Sequence, residues 1–164
     1  MAATTTLAQT KAAAAKTYNG GNYTLTYPGS WDVDESGKMG TKMLLFSPME
    51  SEQDDFRECF NVVTEDLQGQ DVPLDEYVKV SGQGIEKMMT NGKVISSTKV
   101  HQGDRDMYIV NYSGDMGESK LRFEALIWIN SGTAYILTFC AKTNTFARYQ
   151  KQADEVIRSV KVSG

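Results

Sequence analysis

The sequence predicts an α+β fold: a single twisted antiparallel β-sheet flanked by helices. Segments in which apolar and polar residues alternate occupy most of the chain, and only two segments have helical periodicity. The turns between the last four predicted strands are short, which makes those strands antiparallel neighbours. Two helices are too few to cover both faces of a doubly wound parallel sheet, so the α/β class is excluded.

The chain has 164 residues, a formal net charge of −4 and an ordinary globular composition. This length favours one domain, which we place at residues 21–164. Residues 1–20 are rich in Ala, Thr and Lys and lack the apolar core of a signal peptide, so we interpret them as a disordered leader. The sequence contains no basic block, which argues against a nucleic-acid partner, and no apolar run long enough to span a membrane.

Four strands are predicted in the first part of the domain. Residues 23–27 read YTLTY and alternate, which predicts a strand with its apolar side chains on one face. The turn Pro28-Gly29-Ser30 ends this strand, because Pro fixes φ and Gly allows a positive φ. Trp31 follows at once, and we interpret it as a core anchor under the turn. The other three strands are predicted at residues 31–33, 42–46 and 57–64.

Helical periodicity from residue 74 to residue 89 predicts the first helix. Pro73 stands at its start, where the missing N–H has no intrahelical partner to lose. Asn91 and Gly92 are predicted to stop it. Gly84 lies in its interior and weakens the helix by about 1 kcal/mol relative to Ala.

The remaining chain predicts a meander of strands followed by a second helix. The last of these strands, residues 133–141, carries apolar residues on both faces, so we expect it at the centre of the sheet. Residues 145–158 have helical periodicity, and Asn144 or Thr145 is expected to cap the first turn. The other strands of the meander are predicted at residues 93–101, 105–112 and 121–129.

A short acidic segment resembles the opening of an EF-hand loop. Asp32, Asp34 and Ser36 stand at positions one, three and five, and a glycine follows at position six. Position twelve should be a bidentate Glu, but it is Met43, and no helices flank the segment. Two interpretations therefore stay open: a metal site for calcium or another divalent cation, or a solvated acidic turn.

A second acidic cluster lies in the polar loop of residues 47–55, which we call the acidic loop. It contains Glu50, Glu52, Asp54 and Asp55. Acidic surfaces steer basic partners, so these four residues are candidate contacts for a protein partner. The alternative is a solvated loop that keeps this side of the protein soluble.

The residues predict no enzyme active site. His101 is the single histidine, and its position at the end of a predicted strand is typical of an exposed surface residue. No motif indicates a nucleophile or a cofactor, so we predict no catalytic residues and no cofactor other than the candidate cation. Cys59 and Cys140 match no metal spacing, and they are either small buried residues or partners in a disulfide.

Two sequence patterns resemble a known family. An aromatic strand leads into Tyr-Pro-x-x-Trp at residues 27–31. Near the end, the strand at residues 134–139 is followed by a helix that contains Phe146 and Tyr149. This arrangement, which spans residues 20–162, resembles the PsbP-like group, which shares its fold with Mog1 and with bacterial domains of the DcrB and DUF1795 type.

The resemblance implies an antiparallel sheet between helices and a protein that is not an enzyme. Photosystem members of the group are lumenal subunits that help to hold calcium and chloride, bacterial relatives are often secreted or lipid-anchored, and Mog1 binds a Ran-type GTPase. The resemblance therefore implies a non-catalytic, exported binding or assembly module with a protein partner, either a bacterial lipoprotein or a photosystem-II-associated type of protein. Membrane association would then be peripheral or lipid-anchored. Two alternatives stay open: a cytoplasmic, Mog1-like protein that binds a small GTPase, and a carrier of a small ligand.

Overall fold

The computed structural model describes residues 13–164, which form ten strands, two α-helices and one short 3-10 turn at Lys38–Gly40. The helices are α1 (Leu74–Met88) and α2 (Phe146–Ser159). The strands, numbered in chain order, are β1 (Lys16–Asn19), β2 (Tyr23–Tyr27), β3 (Asp32–Asp34), β4 (Met43–Phe46), β5 (Cys59–Asp66), β6 (Thr90–Gln102), β7 (Arg105–Met116), β8 (Ser119–Asn130), β9 (Thr133–Lys142) and β10 (Lys161–Val162). The predicted α+β class is confirmed.

Seven of these strands form one antiparallel sheet in the order β3-β4-β5-β9-β8-β7-β6. Strands β6 to β9 are the predicted meander, and their connections are tight turns. Strand β9 pairs with β5 on one side and with β8 on the other, so it lies inside the sheet as expected from its two apolar faces.

Strand β2 belongs to a second, three-stranded sheet, in which it lies between β1 and β10. The sequence prediction of one sheet did not separate this small sheet from the large one. Tyr23, Leu25 and Tyr27 are buried on the same face of β2, as predicted, and they pack into the main core. The strand therefore lies over a face of the large sheet and does not extend its edge.

The predicted leader is wrong for residues 16–19, which form β1. This strand pairs antiparallel with β2, with Lys16 opposite Tyr27 and Asn19 opposite Thr24. Three of its four residues are exposed, and only Tyr18 packs against the core, so the segment has no apolar alternation that sequence analysis could detect. Residues 1–12 of the predicted leader lie outside the described residues.

The two faces of the large sheet are covered differently. Because side chains alternate along a strand, Leu126 and Trp128 of β8 point to one face while Ala125 and Ile127 point to the other. The first face carries the main core, which is covered by α2 and the small sheet. The second face carries a smaller core, in which Val78 of α1 is buried.

Trp31 is the core anchor that the sequence predicted. It is 4 % exposed, and its ring centroid lies 5.9 Å from that of Phe60 and 6.4 Å from that of Tyr149. The backbone N–H of Trp31 donates a hydrogen bond to the backbone carbonyl of Pro28 at 3.0 Å, which closes the predicted turn. The indole is thus fixed between β5 and α2.

Gly29 is needed in this turn for a reason other than the predicted one. Its φ is not positive. A Cβ added at Gly29 would instead lie 2.0 Å from the carbonyl oxygen of Ala14, just before β1. The glycine therefore permits a close approach between two backbone segments, which only the folded chain brings together.

Helix α1 begins at Leu74, directly after Pro73, as predicted. Asn91 and Gly92 do not follow a loop after the helix, as a stop signal would suggest, but lie within β6. The pairing of β6 with β7 shifts register between Thr90 and Lys93, and Asn91 has a φ of 52°. The predicted stop signal is therefore an irregular start of the next strand.

Candidate functional site

The base of the acidic loop, between β4 and β5, is closed by a buried carboxylate. The backbone N–H of Ser47 donates to the backbone carbonyl of Glu58 at 2.8 Å. The Glu58 residue is only 2 % exposed. The Glu58 carboxylate accepts hydrogen bonds from Ser47 Oγ at 3.2 Å and from Thr145 Oγ1 at 2.8 Å. A buried carboxylate is tolerated only where such donors surround it. These bonds fix the loop to the residue that precedes α2.

Thr145 therefore has a role that differs from the predicted one. It is the residue at the start of α2, but its side chain accepts no hydrogen bond from the first turn of the helix. Its hydroxyl donates to Glu58 instead. The negative charge of Glu58 lies near the N-terminus of α2, where the helix dipole favours an anion.

Two carboxylates of the loop form ion pairs with the elements beside it. Glu50 pairs with Arg148 of α2 at 3.1 Å and accepts a hydrogen bond from the Tyr149 hydroxyl at 2.6 Å. Burial, together with this hydrogen bond, raises the pKa of Tyr149. Asp55 pairs with Lys142 of β9 at 2.6 Å, and this contact lowers the pKa of Asp55. Exposed ion pairs add little stability, but these two restrict the position of the loop.

Asp54 acts within the loop, where its carboxylate accepts hydrogen bonds from the backbone N–H groups of Glu50 at 2.9 Å and Phe56 at 3.1 Å. These bonds lower the pKa of Asp54. Glu52 is exposed, and within residues 13–164 no cation lies within ion-pair distance of it. Met49 is 55 % exposed. Of the predicted contact residues, Glu52 is thus the one whose carboxylate faces solvent without a partner.

Arg57 links the acidic loop to the first acidic segment. Its guanidinium pairs with Asp32 of β3 at 2.5 Å and donates to the Ser47 carbonyl at 2.5 Å. The same group lies over the ring of Phe46, 5.2 Å from its centroid. The two candidate sites of the sequence therefore share one arginine.

The structure does not assemble Asp32, Asp34 and Ser36 around a common point. Asp32 is paired with Arg57, whereas Asp34 accepts a hydrogen bond from the Ser36 N–H at 2.8 Å and pairs with Lys38 at 3.3 Å. The hydrogen bonds from Ser36, with a smaller effect of Lys38, lower the pKa of Asp34 to about 2. Within residues 13–164 no group of three His, Cys, Asp or Glu side chains is placed to hold a metal ion. The cation site stays a prediction.

His101 lies on the surface, at the end of β6. Its Nδ1 is 2.6 Å from Asp106 Oδ1, and both side chains are largely exposed. Lys99 extends the group by pairing with Asp106 at 3.6 Å and with Asp75 of α1 at 2.9 Å. The surface position expected for His101 is confirmed.

A cavity that the sequence did not predict lies between the small and the large sheet, with a volume of about 500 Å³. Tyr23 is 2 % exposed, and its hydroxyl has no hydrogen-bond partner among the described residues. Trp128 stacks on Tyr135 with a centroid distance of 5.2 Å, and Tyr23 packs against both rings. Alternation placed Tyr23 on the buried face but gave no sign of which sheet it would face. The cavity is lined in part by Tyr18, Asn19, Tyr23, Lys42, Thr64 and Tyr135.

A second unpredicted feature is a buried carboxylic acid on β8. Glu124 of β8 is 4 % exposed and lies beside Asp154 of α2. Burial, and then the charge of Asp154, raise the pKa of Glu124 to about 7. The signal was present in the alternation of β8, which places Glu124 on the same face as Leu126 and Trp128.

Comparison with known families decides what kind of protein carries these features. The family model for PsbP matches residues 13–162. The chain belongs to the PsbP family. A search of curated protein sequences found no significant match.

Solved structures agree with this PsbP assignment. The solution structure of cyanobacterial PsbP (CyanoP) from Synechocystis sp. PCC 6803 has a TM-score of 0.70 and 14 % identity, covering 93 % of this chain and 95 % of that chain. LpqN, which is involved in cell envelope biogenesis of Mycobacterium tuberculosis, has a TM-score of 0.66 and 8 % identity, covering 92 % and 91 %. Protein PA94 from Pseudomonas aeruginosa has a TM-score of 0.61 and 15 % identity, covering 86 % and 94 %. At these identities the likeness shows the fold alone.

In the described part of this PsbP-family chain, the acidic loop on the surface and the cavity between the sheets are the two candidate sites that we consider for binding. The loop is fixed to its surroundings by side chains, and Tyr23, whose buried hydroxyl has no hydrogen-bond partner among residues 13–164, lies in the wall of the cavity. None of the helices formed by residues 13–164 is long and apolar enough to cross a membrane.

Proposed function

We propose that this chain is a non-catalytic binding or assembly module of PsbP type, which works outside the cytoplasm and contacts a protein partner through the acidic loop. One observation carries the proposal. The loop is held by side chains of α2 and β9, while Met49 and Glu52 face solvent. A loop that is fixed before binding loses little conformational entropy when a partner docks on it.

The exposed residues of the loop also indicate the chemistry of the partner. Met49 is a flexible, exposed apolar side chain that adapts to an apolar contact, and Glu52, three residues further along the loop, is an exposed acid with no ion-pair partner among residues 13–164. An interface with an apolar centre and a polar rim has this composition. The complementary partner surface has an apolar patch with Lys or Arg at its margin, and the negative net charge of the chain favours its approach.

Membership of the PsbP family supports a site of action outside the cytoplasm. The name of one structural neighbour connects it with cell envelope biogenesis, and another is a cyanobacterial PsbP. We propose that the protein is exported as a bacterial lipoprotein or as a photosystem-II-associated type of protein, with peripheral or lipid-anchored membrane association. Fractionation of the source organism tests this: recovery in the cytosol would reject export and favour the Mog1-like alternative.

Site-specific crosslinking tests the docking surface. A photoreactive amino acid is placed at Met49, and at Met116 as a matched control, since these side chains are 55 % and 61 % exposed. In the source organism we expect one discrete crosslinked species from Met49 and none from Met116. Glu52→Lys should abolish it, whereas Glu118→Lys, on the turn before β8, should not. Equal crosslinking at both positions, or insensitivity to Glu52→Lys, would reject the acidic loop as the contact.

The cavity between the sheets favours a second candidate function, that of a small-ligand carrier. A buried hydroxyl without a partner is costly, and a bound ligand that accepts its hydrogen bond would remove that cost. Native mass spectrometry of the protein purified from its source organism tests this idea. A small molecule retained by the wild type and lost in Tyr23→Phe would support it, whereas a mass equal to that of the bare chain would reject it.

A further inference from the structure

Cys59 and Cys140 lie directly opposite each other in the paired strands β5 and β9. Directly opposite residues of an antiparallel pair have Cα atoms about 4.5 or 5.5 Å apart, depending on the hydrogen-bond pattern. Their side chains also point to the same face of the sheet. Disulfides join Cα atoms about 4.4 to 6.8 Å apart, so both kinds of pair fall within this range. Both thiols are free in the structure.

The two thiols differ in their surroundings. Cys140 is 6 % exposed, and Cys59 is half-buried, so a reagent in solution reaches Cys59 more easily. The neighbouring Cys140 thiol lowers the pKa of Cys59, and the same contact raises the pKa of Cys140. The thiolate is the nucleophilic form of cysteine, so Cys59 is the thiol that attacks first.

We propose that Cys59 and Cys140 form a cross-strand disulfide by exchange with a low-molecular-weight disulfide. The Cys59 thiolate attacks one sulfur of the small disulfide, forms a mixed disulfide and releases one small thiolate. The Cys140 thiol then loses its proton, attacks the Cys59 sulfur and expels the second small thiolate. In the complete reaction the protein loses two electrons and two protons, and the small disulfide becomes two thiols.

The new bond would close next to the acidic loop. Cys59 is the residue after Glu58, whose carboxylate holds the base of that loop. A bond between β5 and β9 closes a long segment of chain and so restricts the unfolded state. We therefore expect the oxidised protein to melt roughly 5–15 °C above the reduced protein.

Incubation of the full chain with oxidised glutathione tests the proposal. The expected result is an intact mass lower by two hydrogen atoms, no free thiol, and one crosslinked peptide that contains both cysteines. Reduction should restore both thiols and return the melting temperature to that of the reduced protein. Cys59→Ala and Cys140→Ala should each lack the crosslinked peptide and the rise in melting temperature.

Three results would overturn the proposal: a stable glutathione adduct on Cys59, a dimer linked through Cys59, or two thiols that persist while the urea-unfolded chain is oxidised. All three are read on the wild-type protein, so the test does not depend on the folding of the variants. The experiment needs neither export nor a partner, and its failure would leave the proposed function standing.

Discussion

Thr145 donates a hydrogen bond to the buried carboxylate of Glu58 at 2.8 Å, and this contact joins the base of the acidic loop to the start of α2. Neither residue has an apolar role, and they are far apart in the sequence. Glu58 also closes the base of the loop through its hydrogen bonds with Ser47. The bond from Thr145 therefore helps to fix the loop against α2.

Thr145→Val should destabilise the protein by about 1–3 kcal/mol, because it leaves a buried carboxylate short of one donor without changing the side-chain volume. Thr143→Val is the matched control, since Thr143 is exposed and it is its backbone N–H that donates to the Lys120 carbonyl. Urea denaturation measures the free energy of unfolding of both variants. Equal stability of the two variants would show that the bond does not hold the base of the loop.

Trp31→Ala should cost about 3–5 kcal/mol, because it removes a buried aromatic ring that packs against Phe60 and Tyr149. Met39→Ala is the control, since Met39 is 84 % exposed and its truncation should change stability by less than about 0.5 kcal/mol. Thermal and urea unfolding check both values. A small effect of Trp31→Ala would mean that the Tyr-Pro-x-x-Trp turn does not anchor the core.

Gly29→Ala and Gly84→Ala should change stability in opposite directions. A Cβ at Gly29 meets the Ala14 carbonyl oxygen at 2.0 Å, so the change should cost about 1–3 kcal/mol. A Cβ at Gly84, inside α1, meets nothing within 4 Å, so the better helix former should add about 0.5–1 kcal/mol. Urea denaturation measures the free energy of unfolding of both variants. If Gly29→Ala leaves that free energy unchanged, the segment before β1 does not pack closely against this turn.

The sequence predicted most of the strands of the large sheet because β6 to β9 follow one another through short turns and because most strands have a clear apolar face. The central position of β9 and the burial of Trp31 follow from local patterns. The small sheet cannot be predicted from local patterns, because β2 pairs with the polar strand β1 before it and with Lys161–Val162 at the other end of the chain. Local alternation contains no information about such distant partners.

The candidate sites were predicted less well, for the same reason. The sequence showed that the loop was acidic, but not that Glu50 and Asp55 would be paired with Arg148 and Lys142. It offered Glu52 as one acid among four and gave no reason to separate it from the others. Which charge stays free depends on the tertiary structure.

Calcium at millimolar concentration should leave the melting temperature unchanged. Asp32 and Asp34 are occupied by Arg57 and Lys38, and position twelve of the loop pattern is the fully buried Met43. A cation would have to compete with Arg57 and Lys38 for these two carboxylates. Differential scanning fluorimetry with and without calcium measures this, and NaCl at matched ionic strength is the control. A rise that is lost in Asp34→Asn would restore the metal site.

Glu124 should make the protein less stable as the pH rises from about 4.5 to about 7. Its pKa is raised from 4.5 to about 7 in the folded protein. Below pH 4.5, Glu124 is protonated in both the folded and the unfolded chain, so it does not lower the free energy of unfolding there. Between these two values the unfolded chain releases its proton while the folded chain retains it, which lowers the free energy of unfolding. The loss should be roughly 3 kcal/mol and should level off above the folded pKa.

Glu124→Gln isolates this effect, since it keeps the shape of the side chain and removes the ionisation. In urea denaturation from pH 4 to pH 8, the variant and the wild type should converge at the acidic end. At the basic end the variant should be the more stable protein. Asp154→Asn should flatten the wild-type decline only in part, because burial of Glu124 is the larger cause of its raised pKa. Glu118→Gln, on an exposed turn, is the control and should follow the wild-type curve. If the stability of Glu124→Gln instead ran parallel to that of the wild type at every pH, Glu124 would ionise normally in the folded protein.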